Sequence, residues 1–103
     1  MRTYILMAAT CLLGFSASAA EMTGWISDSN CGRSNAKADA SARECTERCI
    51  KGGAAAVFVD EKDQKVYKLA GKADATKHIK YKVKVSGKVQ GDTLTVDSIG
   101  KAD

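Results

Sequence analysis

Cysteine is the residue type with the most distinctive chemistry in this 103-residue sequence. Of its four cysteines, Cys11 lies in an apolar N-terminal segment, and the other three follow the pattern Cys31-x13-Cys45-x3-Cys49. Thiols form disulfides, exchange them, or bind soft metal ions as thiolates. The spacing therefore allows three kinds of site: a structural disulfide with one thiol left over, a redox site, or a metal site.

A disulfide between Cys31 and Cys49 is the favoured interpretation. Cys45 and Cys49 stand at i and i+4 of a predicted helix, where their Cβ atoms project along the helix rather than toward each other. Cys31 follows the first predicted strand and Cys49 precedes the second, so they would meet if these strands are antiparallel neighbours. The bridge would close a loop of about 18 residues and contribute roughly 3 kcal/mol. Cys45 is then a free thiol or a possible metal ligand, and a Cys31–Cys45 pairing stays open.

Two further hypotheses, a redox site and a metal site, use all three cysteines. In a redox site the Cys45 thiolate would attack the neighbouring disulfide, although the sequence lacks the Cys-x2-Cys motif at a helix start that lowers a thiol pKa. In a metal site the three thiolates would bind Zn(II) or Cu(I), and His78, the only histidine, is a remote fourth ligand. An intermolecular disulfide through the spare thiol is a last alternative. We therefore predict no cofactor, with Zn or Cu as the alternative.

Export is predicted by residues 1–20, which contain the three parts of a secretory signal peptide in the right order. Arg2 is the positive region, residues 4–15 are apolar, and Ala17-Ser18-Ala19-Ala20 supplies small residues for cleavage after Ala19 or Ala20. The apolar run is shorter than the roughly 20 residues of a transmembrane helix. We predict one mature domain over residues 21–103, periplasmic or secreted, in a compartment where disulfides persist.

Charge and motifs exclude several classes of protein. The sequence has 16 basic and 12 acidic residues, a net charge of +4, which is weaker than the basic surface of a nucleic-acid-binding domain. It contains no HExxH motif and no glycine-rich phosphate loop followed by lysine, so we predict that it is not an enzyme. We expect a monomer that does not span the membrane and binds a small molecule, a glycan or an envelope protein.

Hydrophobic periodicity predicts the elements that position the cysteines. The predicted strands are residues 21–28, 55–60, 65–69, 80–85 and 94–99. A helix is predicted from a capping box at Ser41, or from a start near Asn35 or Asp39, to a stop at Gly52-Gly53, and a short helix is predicted over residues 72–78. This order predicts a mainly β fold, a small five-stranded OB-like Greek-key barrel with one inserted helix. A meander with one helix on its face is the alternative.

A second candidate site combines basic and aromatic side chains. Lys80, Lys82 and Lys84 alternate along one predicted strand, and Trp25 lies in the first strand. Together they could bind a phosphate, an anionic headgroup or an acidic glycan, with the aromatic ring as a stacking surface. The favoured interpretation is structural: the lysines form the solvent face of a strand, and the aromatic residues anchor the core.

Several segments form a recognisable pattern. They are Met22-Thr23-Gly24-Trp25-Ile26-Ser27-Asp28-Ser29, Cys31-Gly32, Cys45-x3-Cys49-Ile50-Lys51-Gly52-Gly53-Ala54, Val57-Phe58-Val59 and Val83-Lys84-Val85-Ser86-Gly87-Lys88-Val89. The chain resembles a group of small exported bacterial domains of unknown function and is more distantly similar to periplasmic bacterial OB-fold proteins linked to envelope stress. Members of the group often carry a histidine before the paired cysteines, and residues 37–44 have none. The resemblance implies the fold and export and no particular activity.

These observations predict an exported, non-enzymatic binding or envelope-associated module that is stapled by one disulfide. The alternative function is that of a thiol-based redox or soft-metal-binding protein that uses Cys31, Cys45 and Cys49.

Overall fold

The computed structural model describes residues 18–71 and 73–102. It contains five strands, β1 (Ser18–Asp28), β2 (Ala56–Asp60), β3 (Val66–Gly71), β4 (Val83–Gln90) and β5 (Thr93–Lys101). One α-helix, α1 (Ala40–Lys51), follows β1, and two 3-10 turns lie at Gly32–Asn35 and Ala75–His78. Within these described residues, none of the helices has the length and apolar character that crossing a membrane requires.

The five strands close into a barrel in the order β1-β2-β3-β5-β4. Every neighbouring pair is antiparallel except β3 and β5, which run parallel because the Ala75–His78 turn and β4 separate them in the chain. The predicted OB-like barrel with an inserted helix is therefore confirmed, and the alternative meander is wrong. The inserted helix is α1, which lies in the connection between β1 and β2.

The predicted signal peptide falls mainly on residues 1–17, which lie outside the described residues. Its last three residues, Ser18 to Ala20, form the start of β1 and face Val89, Lys88 and Gly87 of β4. The pairing of β1 with β2 begins only at Gly24. Cleavage after Ala19 or Ala20 would therefore shorten one end of the β1–β4 ladder and leave the β1–β2 ladder intact.

Apolar side chains that alternate along the strands fill the barrel. The buried core consists of Ile26, Phe58, Tyr67, Ala75, Ile79, Val83, Val85, Leu94 and Val96. A glycine inside a strand often marks a bulge or a close backbone approach, and Gly24 in β1 marks a close approach. A Cβ at this position would collide with the carbonyl oxygen of Val59 on β2. Glycine thus lets β1 and β2 approach closely where they begin to pair.

Several element boundaries differ from the predictions, and two of the differences have a clear physical reason. Helix α1 begins at Ala40 because Asp39 caps it: its carboxylate accepts hydrogen bonds from both the backbone N–H and the hydroxyl of Ser41, each at 2.9 Å. Ser41 as the cap was therefore wrong, and the alternative at Asp39 was right. Strand β4 begins at Val83 rather than at residue 80 and continues to Gln90, because the tight turn into β5 uses Gly91, whose φ of 63° suits glycine.

Candidate functional site

The connection from β1 to β2, residues 29–55, begins and ends at the same end of these two strands. Since these strands are antiparallel neighbours, Asp28 faces Ala56 across the ladder. The connection is closed at its base by Ser29, whose backbone N–H donates to the Ala55 carbonyl at 2.8 Å and whose hydroxyl accepts from the Ala55 N–H at 3.0 Å. The Ala54 N–H donates to the Cys49 carbonyl at 2.9 Å, which holds the end of α1 beside this base.

Three sulfur atoms meet at this base, and we call Cys31, Cys45 and Cys49 the three-cysteine cluster. Their Sγ atoms all lie within 4.8 Å of one another. Each residue is partly exposed and each carries a free thiol. Zn–S bonds of about 2.3 Å place two sulfur ligands of one ion roughly 3.8 to 4.0 Å apart. The cluster therefore needs a contraction of only about 1 Å or less to hold an ion.

The premise of the predicted disulfide is confirmed, whereas the disulfide itself stays a prediction. Antiparallel pairing of β1 and β2 does bring Cys31 to Cys49. Cys45, the predicted spare thiol, lies just as near, so the geometry offers either partner to Cys31. Cys45 and Cys49 occupy successive turns of α1, and Cys31 faces them from the connection that follows β1.

A buried carboxylate beside the three-cysteine cluster holds the surrounding segments together. Asp28, the last residue of β1, has no solvent-exposed surface. It accepts hydrogen bonds from the Cys31 backbone N–H at 2.9 Å, from the Asn35 side-chain amide at 3.0 Å and from the Thr46 hydroxyl at 3.1 Å. These donors belong to the connection, the Gly32–Asn35 turn and α1. One side chain therefore fixes the three segments that surround the cysteines.

The charge of Asp28 is retained at neutral pH. Burial acts to raise the pKa of Asp28, but the hydrogen bonds from Asn35, Cys31 and Thr46 together outweigh burial, and its pKa lies below the ordinary value. Hydrogen bonds to the ionised form have this effect because they stabilise the carboxylate more than the acid. The cluster thus lies beside a fixed negative charge.

The three thiols differ in acidity. Burial and the adjacent Asp28 carboxylate raise the pKa of Cys31 to about 11, and burial also raises the pKa of Cys49. The pKa of Cys45 is lowered, chiefly because its sulfur accepts a hydrogen bond from Asn35, with further help from the other two thiols. Cys45 is therefore the first thiol of the cluster to ionise.

Arg43 supports the same region from inside the protein, although arginine side chains are mostly exposed. Its side chain is 5% exposed, and its planar guanidinium group donates to four backbone carbonyls. The acceptors are the carbonyl oxygens of Ile26 at 2.8 Å, Ile79 at 2.7 Å, Lys37 at 3.1 Å and Asn35. Arg43 therefore joins α1 to β1, to the turn before β4 and to the segment that carries Asn35.

Sequence reasoning missed Asp28 and Arg43. The aspartate was read as the end of a strand, although an Asp three residues before a cysteine is the spacing at which a carboxylate can accept from that backbone N–H. The arginine carried no signal, because charged residues on helices are exposed in most proteins.

The predicted basic and aromatic site is only partly assembled. Lys82 forms an ion pair with Glu61 at 2.9 Å and Lys84 forms one with Glu21 at 3.7 Å, so carboxylates partly neutralise both lysines. Lys80 lies in the turn before β4 rather than on a strand. The guanidinium of Arg43 covers the ring of Trp25 at 4.9 Å. An anion site at these residues stays a prediction.

His78 does not belong to the cluster. Among the described residues, the metal-ligating group at this site consists of the three cysteines. The Nδ1 atom of His78 lies 2.7 Å from the hydroxyl oxygen of Tyr81, which satisfies that ring nitrogen locally.

No protein-family model, no curated protein and no solved structure matches the chain. What the site can do therefore follows from its own side chains: three clustered thiols of unequal acidity, a buried carboxylate beneath them, and partial access from solvent.

Proposed function

We propose that the protein binds one soft metal ion through Cys31, Cys45 and Cys49. The observation that carries this proposal is the convergence of the three sulfur atoms within 4.8 Å of one another. Thiolates select Cu(I) and Zn(II) over the harder Mg²⁺ and Ca²⁺ ions, which take oxygen ligands. The residues present fit such an ion in both kind and spacing.

The number of donors favours Cu(I) over Zn(II). Structural zinc sites are almost always four-coordinate, whereas Cu(I) is satisfied by three thiolates. The nearest carboxylate, Asp28, already accepts three hydrogen bonds from the protein. The imidazole of His78 is engaged with Tyr81 on another element. Zn(II) would need a water molecule to complete its coordination.

Binding of a cation would also offset the negative charge of the site. Three thiolates beside the Asp28 carboxylate would place like charges close together. This repulsion adds to burial, the larger cause, in raising the pKa of Cys31 to about 11. A bound cation supplies the charge that offsets this repulsion, and its binding displaces the thiol protons. Metal affinity should therefore rise with pH.

The second candidate function is the stapled module that the sequence favoured. The same proximity supports it, because Cys31 needs only a small movement to bond to Cys49 or to Cys45. The remaining thiol could then exchange with the disulfide, and the lowered pKa of Cys45 suits it to that attack. The two candidates exclude each other in any one molecule, since a disulfide consumes two of the three metal ligands.

Intact mass of the mature protein distinguishes them. We would measure it under native and denaturing conditions, with thiol alkylation before and after reduction. The metal-binding protein should show a native mass excess of one ion and alkylation of all three cysteines on unfolding without reduction. The stapled module should show no excess, one alkylated cysteine without reduction and three with it, and that result would contradict the metal proposal for the exported form.

A further inference from the structure

We propose that the three-cysteine cluster captures neutral trivalent metalloid hydroxides, for which arsenite is the probe. The inference rests on the proposed function in one respect: both require the three thiols to act on a single atom. It goes further in the class of ligand, because an uncharged hydroxide differs from a metal cation in its demands on the protein.

The number and arrangement of the sulfur atoms match trivalent arsenic. Arsenic(III) forms three bonds and keeps a lone pair, so its thiolate complexes are pyramids with three sulfur atoms on one side. The cluster offers three sulfurs, two from successive turns of α1 and Cys31 from the facing connection. The carboxylate that could have been a fourth donor is engaged by the protein. The As–S bond is similar in length to the Zn–S bond of about 2.3 Å, but the narrower angles of a pyramid place the sulfur atoms roughly 3.5 Å apart, so the required contraction is up to about 1.3 Å.

The reaction needs no oxidant and no reductant. Arsenous acid, As(OH)₃, condenses with three thiols: three As–O bonds break, three As–S bonds form, and each thiol proton leaves with a hydroxide as water. Arsenic stays trivalent throughout, and the net charge of the site does not change. Each cysteine is partly exposed, which gives the reagent access and lets the three water molecules leave.

A reaction that leaves the net charge unchanged is compatible with the negative charge of Asp28 at this site. Asp28 is a buried carboxylate beside the cluster and accepts a hydrogen bond from the Cys31 backbone N–H at 2.9 Å, so negative charge gained by the sulfur atoms would lie close to it. A cation requires those thiols to lose protons into solvent before or during binding. Arsenous acid takes the protons along as water, so the carboxylate imposes no comparable penalty.

The test combines mass, affinity and proton counting on the reduced, mature protein. We expect one arsenic per chain, seen as a mass gain of one arsenic atom less three hydrogens. In weakly buffered solution near neutral pH, arsenite binding should release almost no protons, whereas Cu(I) binding under the same conditions should release them.

Single substitutions show whether three thiols are used. Each pre-positioned thiol raises affinity by about 10²-fold or more through effective concentration, so Cys31→Ser and Cys45→Ser should each weaken arsenite binding by roughly that factor. Ser34→Ala, an exposed change in the same connection, is the matched control and should bind like the wild type. Phenylarsine oxide, which bonds to only two thiols, should still bind both cysteine variants, and urea unfolding of each variant checks that it is folded.

The outcomes separate the two proposals. Binding of Cu(I) without binding of arsenite would overturn this inference and leave the proposed function standing. Failure of the reduced protein to bind either would overturn both. Undiminished arsenite affinity in Cys31→Ser or Cys45→Ser would show that two thiols suffice and would also overturn the three-sulfur site.

Discussion

Replacing Asp28 with asparagine should make the protein less stable and one of its thiols more acidic. The carboxylate is fully buried and accepts three hydrogen bonds. Asparagine keeps a single oxygen, which can face the Asn35 amide and the Thr46 hydroxyl. Its side-chain NH₂ group must then face the Cys31 backbone N–H, so two hydrogen-bond donors meet and that N–H loses its acceptor.

The structure allows the cost to be worked out. Leaving a buried donor without an acceptor costs about 1–3 kcal/mol, and bonds to a neutral amide are weaker than bonds to a carboxylate. Asp28→Asn should therefore reduce the free energy of unfolding by about 3 kcal/mol at neutral pH. Asp97→Asn, on the exposed part of β5, is the matched control and should change stability by less than about 0.5 kcal/mol.

The effect on stability should depend on pH with a defined sign. Because the pKa of Asp28 is lowered in the folded protein, its ionisation contributes stability above the unfolded value of about 3.9, and this stability is lost as pH falls through the folded pKa. Asp28→Asn has no carboxylate at this position, so its free energy of unfolding does not fall for this reason. Urea unfolding between pH 7 and pH 3 should show the two free energies converging toward acid.

Asp28→Asn should also make the Cys31 thiol more acidic. The Asp28 charge is a principal reason, after burial, why the pKa of Cys31 is raised to about 11. Without that charge the pKa of Cys31 should fall, and alkylation of Cys31 in the reduced, folded protein should become faster between pH 8 and 9. Unchanged alkylation together with unchanged stability would refute the role given to Asp28.

Three further changes test other contacts, each by urea unfolding. Arg43→Lys should lower the free energy of unfolding by about 2–4 kcal/mol, because an ammonium group cannot reach four separate carbonyls and leaves some of them unsatisfied; a loss below about 1 kcal/mol would contradict this. Gly24→Ala should cost about 1–3 kcal/mol, because its Cβ meets a carbonyl of β2, whereas Gly100→Ala has open space and should cost much less. Asp39→Ala should cost about 1 kcal/mol as the loss of the α1 cap, and Ser41→Ala should cost less; the reverse order would contradict the assigned cap.

The barrel could be predicted because its signals are local. Alternation of apolar residues and the helix stop at Gly52-Gly53 are properties of short windows, and they predicted five strands and the end of α1. The start of β4 could not be predicted in this way. Residues 80–82 alternate as well as any strand, but the turn that ends near the buried Ile79 separates them from the ladder.

Of the candidate site, only the three cysteines could be predicted. The spacing of Cys31, Cys45 and Cys49 and the antiparallel neighbours around them were sufficient to bring the sulfur atoms together. The roles of Asp28 and Arg43 depend on which polar groups lack partners once the connection is folded. That is a property of three-dimensional closure, and a lone Asp or Arg in a sequence does not show it.

The closure of the β1–β2 connection at Ser29 and Ala55 makes this segment a transplantable unit. Its two ends are separated by no more than the spacing of neighbouring strands, about 5 Å, which is also the span of a two-residue hairpin. An antiparallel hairpin in another scaffold could accept residues 29–55 without changing its register. The donor barrel could in turn be closed by a short turn at the same point. Asp28 and Arg43 set the limit of this exchange. The Asp28 carboxylate and two carbonyl acceptors of Arg43, on Ile26 and Ile79, lie outside residues 29–55 and would have to be supplied by the new host.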